Sequence, residues 1–116
     1  MMLDNADLDS RLAAADLVIT AEGAIDAQTP HGKIPGEVAR RAKLHGKPVI
    51  ALAGTVGADA CRNYTAGIDA YTSIVAAPIT LTDAITHAAA LTTDATERAL
   101  RLVLVGATLA NTVRSL

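Results

Sequence analysis

Three short, almost wholly apolar runs punctuate the chain, and each is separated from the next by a stretch with helical spacing. Residues 16–21 (DLVITA), 48–53 (PVIALA) and 70–75 (AYTSIV) are rich in β-branched side chains. Apolar runs of this length, bounded by Gly and Pro, read as strands. Strands without polar alternation are buried on both faces, which requires helices above and below a parallel sheet. The segments between them supply those helices. Leu8 and Leu12 stand four apart, on one face of a short helix. A second helix is expected from Pro35 to about His45, with Val38, Ala39 and Ala42 inward and Arg40, Arg41 and Lys43 outward. Pro35 suits its first turn and Gly46 its stop. A shorter helix over residues 58–64 ends at Gly67. After Pro78, Thr80 or Thr82 can cap a last helix with Asp83 in its first turn. There Leu81, Ile85, Ala88, Leu91, Ala95, Ala99 and Leu102 keep a spacing of three or four and predict a single buried stripe, which Gly106 interrupts or ends. The expected fold is α/β: about three parallel strands with right-handed crossovers, flanking helices and a long C-terminal helix, in one segment over residues 1–116.

Composition narrows the function classes. The only aromatic residues are Tyr64 and Tyr71, so the core is built from Ala, Val, Ile and Leu. Small side chains bury little area each, at about 25 cal/mol per Å², which predicts modest stability and a gain from a partner surface. A net charge of −2 and the scarcity of aromatics argue against nucleic-acid binding, which needs a basic field or stacking platforms. Cys61 is the single cysteine, so no internal disulfide forms and a reducing compartment fits. Its place on an apolar helix face predicts an inert core thiol. The first seven residues are acidic and lack a signal-peptide pattern. The run 99–110 contains Arg101 and is shorter than the roughly 20 residues of a bilayer span. The expectation is a soluble, cytoplasmic chain with no membrane partner.

Ligands of open parallel sheets gather at the carboxyl ends of the strands. Three loops leave such ends here: residues 22–35, 54–59 and 76–80. The first carries Glu22, Asp26, Gln28, Thr29, His31 and Lys33. Two carboxylates and an ammonium group suit phosphoryl transfer, which needs positioning, charge stabilisation and an acceptor for a hydroxyl proton. On that reading Asp26 is the base or a metal carboxylate, Glu22 the second carboxylate and Lys33 the phosphate contact. The alternative is a solvated loop in which Asp26 and Thr29 make local turn hydrogen bonds. In the second loop, Gly54 and Thr55 open a helix whose N-terminal N–H groups suit an anion, or else form a plain tight turn. The spacing around Gly32 and Lys33 is not that of a Walker A loop, and His31, His45 and His87 share no metal-ligand spacing.

The stretch 15–33, ADLVITAEGAIDAQTPHGK, closely resembles the strand-and-loop signature of bacterial glycerate kinases. The likeness continues through Val38-Ala39-Arg40-Arg41-Ala42-Lys43, through residues 46–54 and 67–70, and into the last helix, covering about residues 8–105. The resemblance implies a Rossmann-like or flavodoxin-like domain. It further implies ATP- and Mg²⁺-dependent phosphorylation of D-glycerate to 2-phosphoglycerate, in a cleft shared with a second α/β domain. The loop positions that carry over are Glu22, Gly23, Asp26, Gln28, Thr29, Gly32 and Lys33. Two positions depart from the family pattern: Ala21 stands where Gly is usual, and Ala24 where an Arg would offer a bidentate fork. Family chains are several times longer. The expectation is therefore a C-terminal segment, inactive alone, that works with the remainder of a kinase chain or self-associates. The alternative is a truncated, inactive α/β remnant or interaction module.

Overall fold

The computed structural model describes residues 5–26 and 35–114. The chain divides into two compact units, Met1–Ser73 and Ile74–Leu116. The first contains helix α1 (Asn5–Ala14), strand β1 (Val18–Ile25), helix α2 (Pro35–Leu44), strand β2 (Val49–Val56), a 3-10 helix (Ala60–Ala66) and strand β3 (Ala70–Ser73). The three strands form one parallel sheet in the order β1-β2-β3. β2 is central and apolar on both faces, as its sequence requires. Val49, Ala51 and Ala53 join the core cluster on one side, and Leu52 is buried on the other.

The core cluster joins Leu12 of α1, Ala39 and Ala42 of α2, Ile25, Ala60 and Ile68 to that face of β2. Alanine recurs because a helix presenting Ala39 and Ala42 can lie close to the sheet, where larger side chains would hold it off. Helix α2 stops at the turn of His45 and Gly46. Gly46 has φ 67°, its N–H donates to Lys43 O (3.0 Å), and Lys47 N–H donates to Ala42 O (3.0 Å). These are the two bonds of a Schellman termination. Asp69 fixes the entry into β3: its N–H donates to Val49 O (2.9 Å) and its carboxylate accepts from Val49 N–H (2.7 Å).

One inward position differs from expectation. Arg41 is buried, not outward, because its guanidinium meets Asp9 of α1, with Nη2 2.6 Å and Nε 3.2 Å from the carboxylate. A buried charge needs such a partner, and this pair ties α1 to α2. Cys61 also departs from expectation: it is exposed on the 3-10 helix rather than sealed in the core.

The second unit holds helix α3 (Leu81–Thr86) and helix α4 (Ala88–Arg114). Thr80 caps α3, its hydroxyl accepting from Asp83 N–H at 3.1 Å, as its sequence anticipates. The expected single helix is broken at His87, and α4 runs through Gly106 to Arg114. The anticipated stripe is buried only at Ala95 and Ala99, whereas Leu81, Ile85 and Leu102 are exposed. No helix among the described residues is long and apolar enough to cross a membrane.

Candidate functional site

The carboxyl end of the sheet differs from the sequence-based expectation in one respect that rearranges the site. Both strands run further than their apolar cores. Glu22 and Gly23 lie within β1, paired alongside β2 through Glu22↔Ala53 and Ala24↔Thr55, and Gly54 and Thr55 lie within β2. They are strand residues, not loop residues. The helix after β2 is a 3-10 helix beginning at Ala60, behind Asp59 in the left-handed region (φ 58°) with no side-chain cap. Gly54 and Thr55 therefore do not open a helix N-terminus.

Strand extension places two glycines opposite one another. A Cβ on Gly54 would stand 2.9 Å from the Gly23 carbonyl oxygen, whereas a Cβ on Gly23 would meet nothing within 4 Å. The pair makes a patch of bare backbone near the carboxyl end of β1 and β2, open on the Gly23 side. Thr55 is exposed beside it, and the Ser73 hydroxyl at the end of β3 reaches the Gly54 carbonyl at 3.5 Å.

Glu22 is half-buried, and its carboxylate accepts a hydrogen bond from the Thr20 hydroxyl (3.1 Å), two residues back on the same strand face. Asp26 follows immediately after β1 and is also partly buried. Four residues of extended chain separate the two Cα atoms by about 13 Å. The Thr20 hydrogen bond holds the Glu22 carboxylate toward the amino-terminal side of that span. Gln28, Thr29, Gly32 and Lys33 lie outside the described residues. Among the described residues no group of three or more His, Cys, Asp or Glu side chains is placed to hold a metal ion.

A residue that sequence reasoning passed over anchors this end of the sheet. Asn63, in the 3-10 helix, is fully buried. Its amide nitrogen donates to the main-chain oxygens of Asp26 and Ala60, both at 2.8 Å. Its side-chain oxygen is buried with no hydrogen-bond partner among the described residues. The sequence offered little signal, since Asn63 stands between Arg62 and Tyr64 with nothing local to mark it as the buried one.

Two further charged clusters lie elsewhere. Asp9 hydrogen-bonds Arg41 and, at 3.4 Å, His45. The Arg41 bond, reinforced by His45 and outweighing the effect of burial, holds the Asp9 carboxyl below its ordinary range. Partial burial pushes the Asp69 carboxyl up, but its hydrogen bonds from the Lys43 ammonium and the Val49 N–H outweigh burial and hold it low. Asp69 contacts Val49, the first residue of β2, so it serves the amino end of the sheet, away from where ligands of this architecture gather.

The profile of the glycerate kinase family matches residues 1–104. A glycerate kinase of Bacillus subtilis (strain 168) is 48% identical over 89 residues, which are 77% of this chain and 23% of that protein. A glycerate 2-kinase of Escherichia coli (strain K12) is 42% identical over 67% of this chain and 20% of its own length. A crystal structure from Salmonella typhimurium LT2, provisionally assigned there as a glycerate kinase 2, is 42% identical, covers 82% of this chain and 25% of that one, and superposes with a TM-score of 0.48. The chain thus spans about a quarter of the length of the curated relatives it matches.

Proposed function

Because the chain belongs to the glycerate kinase family, matched over residues 1–104 of its 116, we propose that it forms one segment of a kinase transferring the γ-phosphoryl group of ATP to D-glycerate. The product is 2-phosphoglycerate, and the setting is the cytoplasm. The observation that carries the reading is Asp26 at the carboxyl end of β1, beside the bare backbone of Gly23 and Gly54 and at the head of the signature segment ending in Lys33.

In this reading the 2-hydroxyl oxygen of glycerate forms a bond to the γ-phosphorus while the bond to the β,γ-bridging oxygen breaks. ADP leaves with that electron pair, and Asp26 takes the hydroxyl proton. Lys33 pairs with phosphate oxygens, and Gln28, Thr29 and Gly32 complete the loop around them. Gly23, Gly54 and Thr55 offer backbone and a hydroxyl where a side chain would hold the phosphates away. Mg²⁺ accepts one or two carboxylates, with water and phosphate oxygens filling its other positions. The separation of Glu22 from Asp26 fits one direct carboxylate rather than both. Glu22, steadied by Thr20, is the residue left to hold the ion once Asp26 serves as base. When bound, Mg²⁺ neutralises charge on the transferring group.

The remaining three quarters of a family-length kinase must complete the cleft, because part of a cleft neither aligns two substrates nor excludes water. A coupled assay of ADP release with D-glycerate tests this, on the chain alone and mixed with that remaining portion. Turnover in the mixture supports the proposal; none in either sample sinks it. A second reading draws on the exposed Leu102, Leu104, Val105, Leu109 and Val113 of α4. It makes the chain an inactive α/β interaction module that self-associates. Oligomers with no turnover in the mixture favour that reading.

A further inference from the structure

We propose that Asn63 is a positioning residue for Asp26, an assignment that rests on the role given to Asp26 above. The argument begins with what ends β1. Gly57 N–H donates to Ile25 O at 2.7 Å, closing the sheet beyond its last paired residues. One residue further the chain leaves the sheet, and there the Asn63 amide donates to the Asp26 carbonyl at 2.8 Å, from a fully buried position.

The orientation of that amide is fixed by its surroundings. Both atoms facing it, the carbonyls of Asp26 and Ala60, are acceptors, so the NH₂ group must point toward them. The Asn63 side-chain oxygen is consequently left buried with no partner among the described residues. An unsatisfied buried acceptor is costly and uncommon. A leucine of similar size would carry no such penalty. The arrangement places a polar tie where apolar packing would serve the core, and what it secures is the peptide plane of Asp26.

The rest of Asn63 explains why it makes a good anchor. Its main-chain oxygen accepts from Gly67 N–H and, at 3.1 Å, from Ile68 N–H, which leads into β3. A single residue thus joins the end of β1, the turn after β2 and the entry to β3. Gly57 completes the fit, since a Cβ there would stand 3.0 Å from the Asp26 Cβ. Asn63 holds the peptide plane of Asp26, and the absence of a side chain at Gly57 leaves the Asp26 Cβ its space, so the two together set where the Asp26 side chain leaves the backbone. A base displaced by about 1 Å loses roughly a hundredfold in rate, so fixing that plane is a catalytic matter.

The test uses the whole chain labelled for NMR. The readouts are the carboxyl and carbonyl ¹³C resonances of Asp26, free and during a titration with MgATP. N63L is compared with T65V, which removes a neighbouring hydroxyl bond to Arg62 O (2.9 Å) on the exposed side of the same 3-10 helix. N63L is expected to move both Asp26 resonances and to raise the MgATP midpoint at Asp26 at least tenfold, while T65V leaves all three unchanged. N63A replaces N63L if leucine prevents folding. Unchanged Asp26 resonances in the Asn63 variant, or equal changes in T65V, overturn the assignment. If the unaltered chain shows no response to MgATP, the kinase reading suffers, while the ligand-free resonances still decide the role of Asn63.

Discussion

The opposed glycines of β1 and β2 allow a prediction in which most unknowns cancel. Gly54→Ala puts a methyl group 2.9 Å from the Gly23 carbonyl oxygen, a backbone atom on a paired strand that has nowhere to retreat. Gly23→Ala adds the same methyl group to open space. Both substitutions restrict the unfolded chain alike and relieve the strand of a glycine, a gain of about 0.5–1 kcal/mol each. Only Gly54→Ala carries the overpacking cost of about 1–3 kcal/mol. The difference between the two variants isolates that cost. With a urea slope of about 2 kcal/mol/M, their midpoints should differ by about 0.5–1.5 M, Gly23→Ala at or above the parent and Gly54→Ala below Gly23→Ala by that margin. Tyrosine fluorescence is the natural probe, because Tyr64 and Tyr71, stacked with centroids 5.1 Å apart, both belong to the unit that holds the sheet. Equal midpoints for the two variants, or the reverse order, would mean that β1 does not continue past Glu22 alongside β2. The site geometry would fall with it.

Other outcomes follow from the same contacts. Asp26→Ala, in the presence of the complementary kinase portion, should lower turnover by about 10²–10⁴-fold, the usual contribution of a general base; near-parent turnover removes Asp26 from the chemistry. Asp9 and Asp69 have folded-state values held below the unfolded ones. Their stabilisation is therefore fully present above about pH 4 and is lost as pH falls through the depressed values. Asp9→Asn should flatten part of that acid-side loss in urea midpoints measured from pH 6 to pH 2, and an unaltered slope counts against the Asp9–Arg41 pair. Leu109→Lys on the exposed face of α4 should reduce dye binding and any self-association of the isolated chain without altering the urea midpoint reported by the tyrosines; undiminished dye binding locates the apolar surface elsewhere. Cys61 should react with a maleimide in the native state at a rate close to that in denaturant, since it is exposed.

The three strands and their parallel order were legible because β2 is apolar on both faces, a pattern that only a covered parallel sheet accommodates. The ends of the strands were not legible. Glu22-Gly23 and Gly54-Thr55 have turn composition, and only their mutual opposition turns two poor strand segments into a paired one. That is a relation between residues about thirty positions apart, invisible to a local window. Arg41 was misplaced for the same reason, since its inward direction depends on Asp9, 32 residues earlier. The stripe on the last helix was periodic as read, but periodicity announces a face that seeks cover and not the presence of the cover. The grouping of Glu22 and Asp26 into one loop cluster took no account of a strand spreading its residues at about 3.3 Å per position, because the extension of β1 through Ile25 was not legible.

That spreading reshapes the electrostatic argument for phosphoryl transfer. Carboxylates crowded at one point repel and raise one another's proton affinity, which suits a shared proton or a tightly held ion. Residues 22 and 26, whose Cα atoms stand about 13 Å apart along extended chain, each have a supporting contact: the Thr20 hydroxyl for Glu22 and the Asn63-held peptide for Asp26. Side chains alternate along a strand, so the open side of Gly23 lies on the opposite face from Glu22, and the residue next to Glu22 on its own face is the exposed Ala24. Under the proposed function, two acceptors so placed would serve a phosphate-bound cation and a substrate hydroxyl without competing for either, and the small side chain of Ala24 between them would leave room for the phosphate.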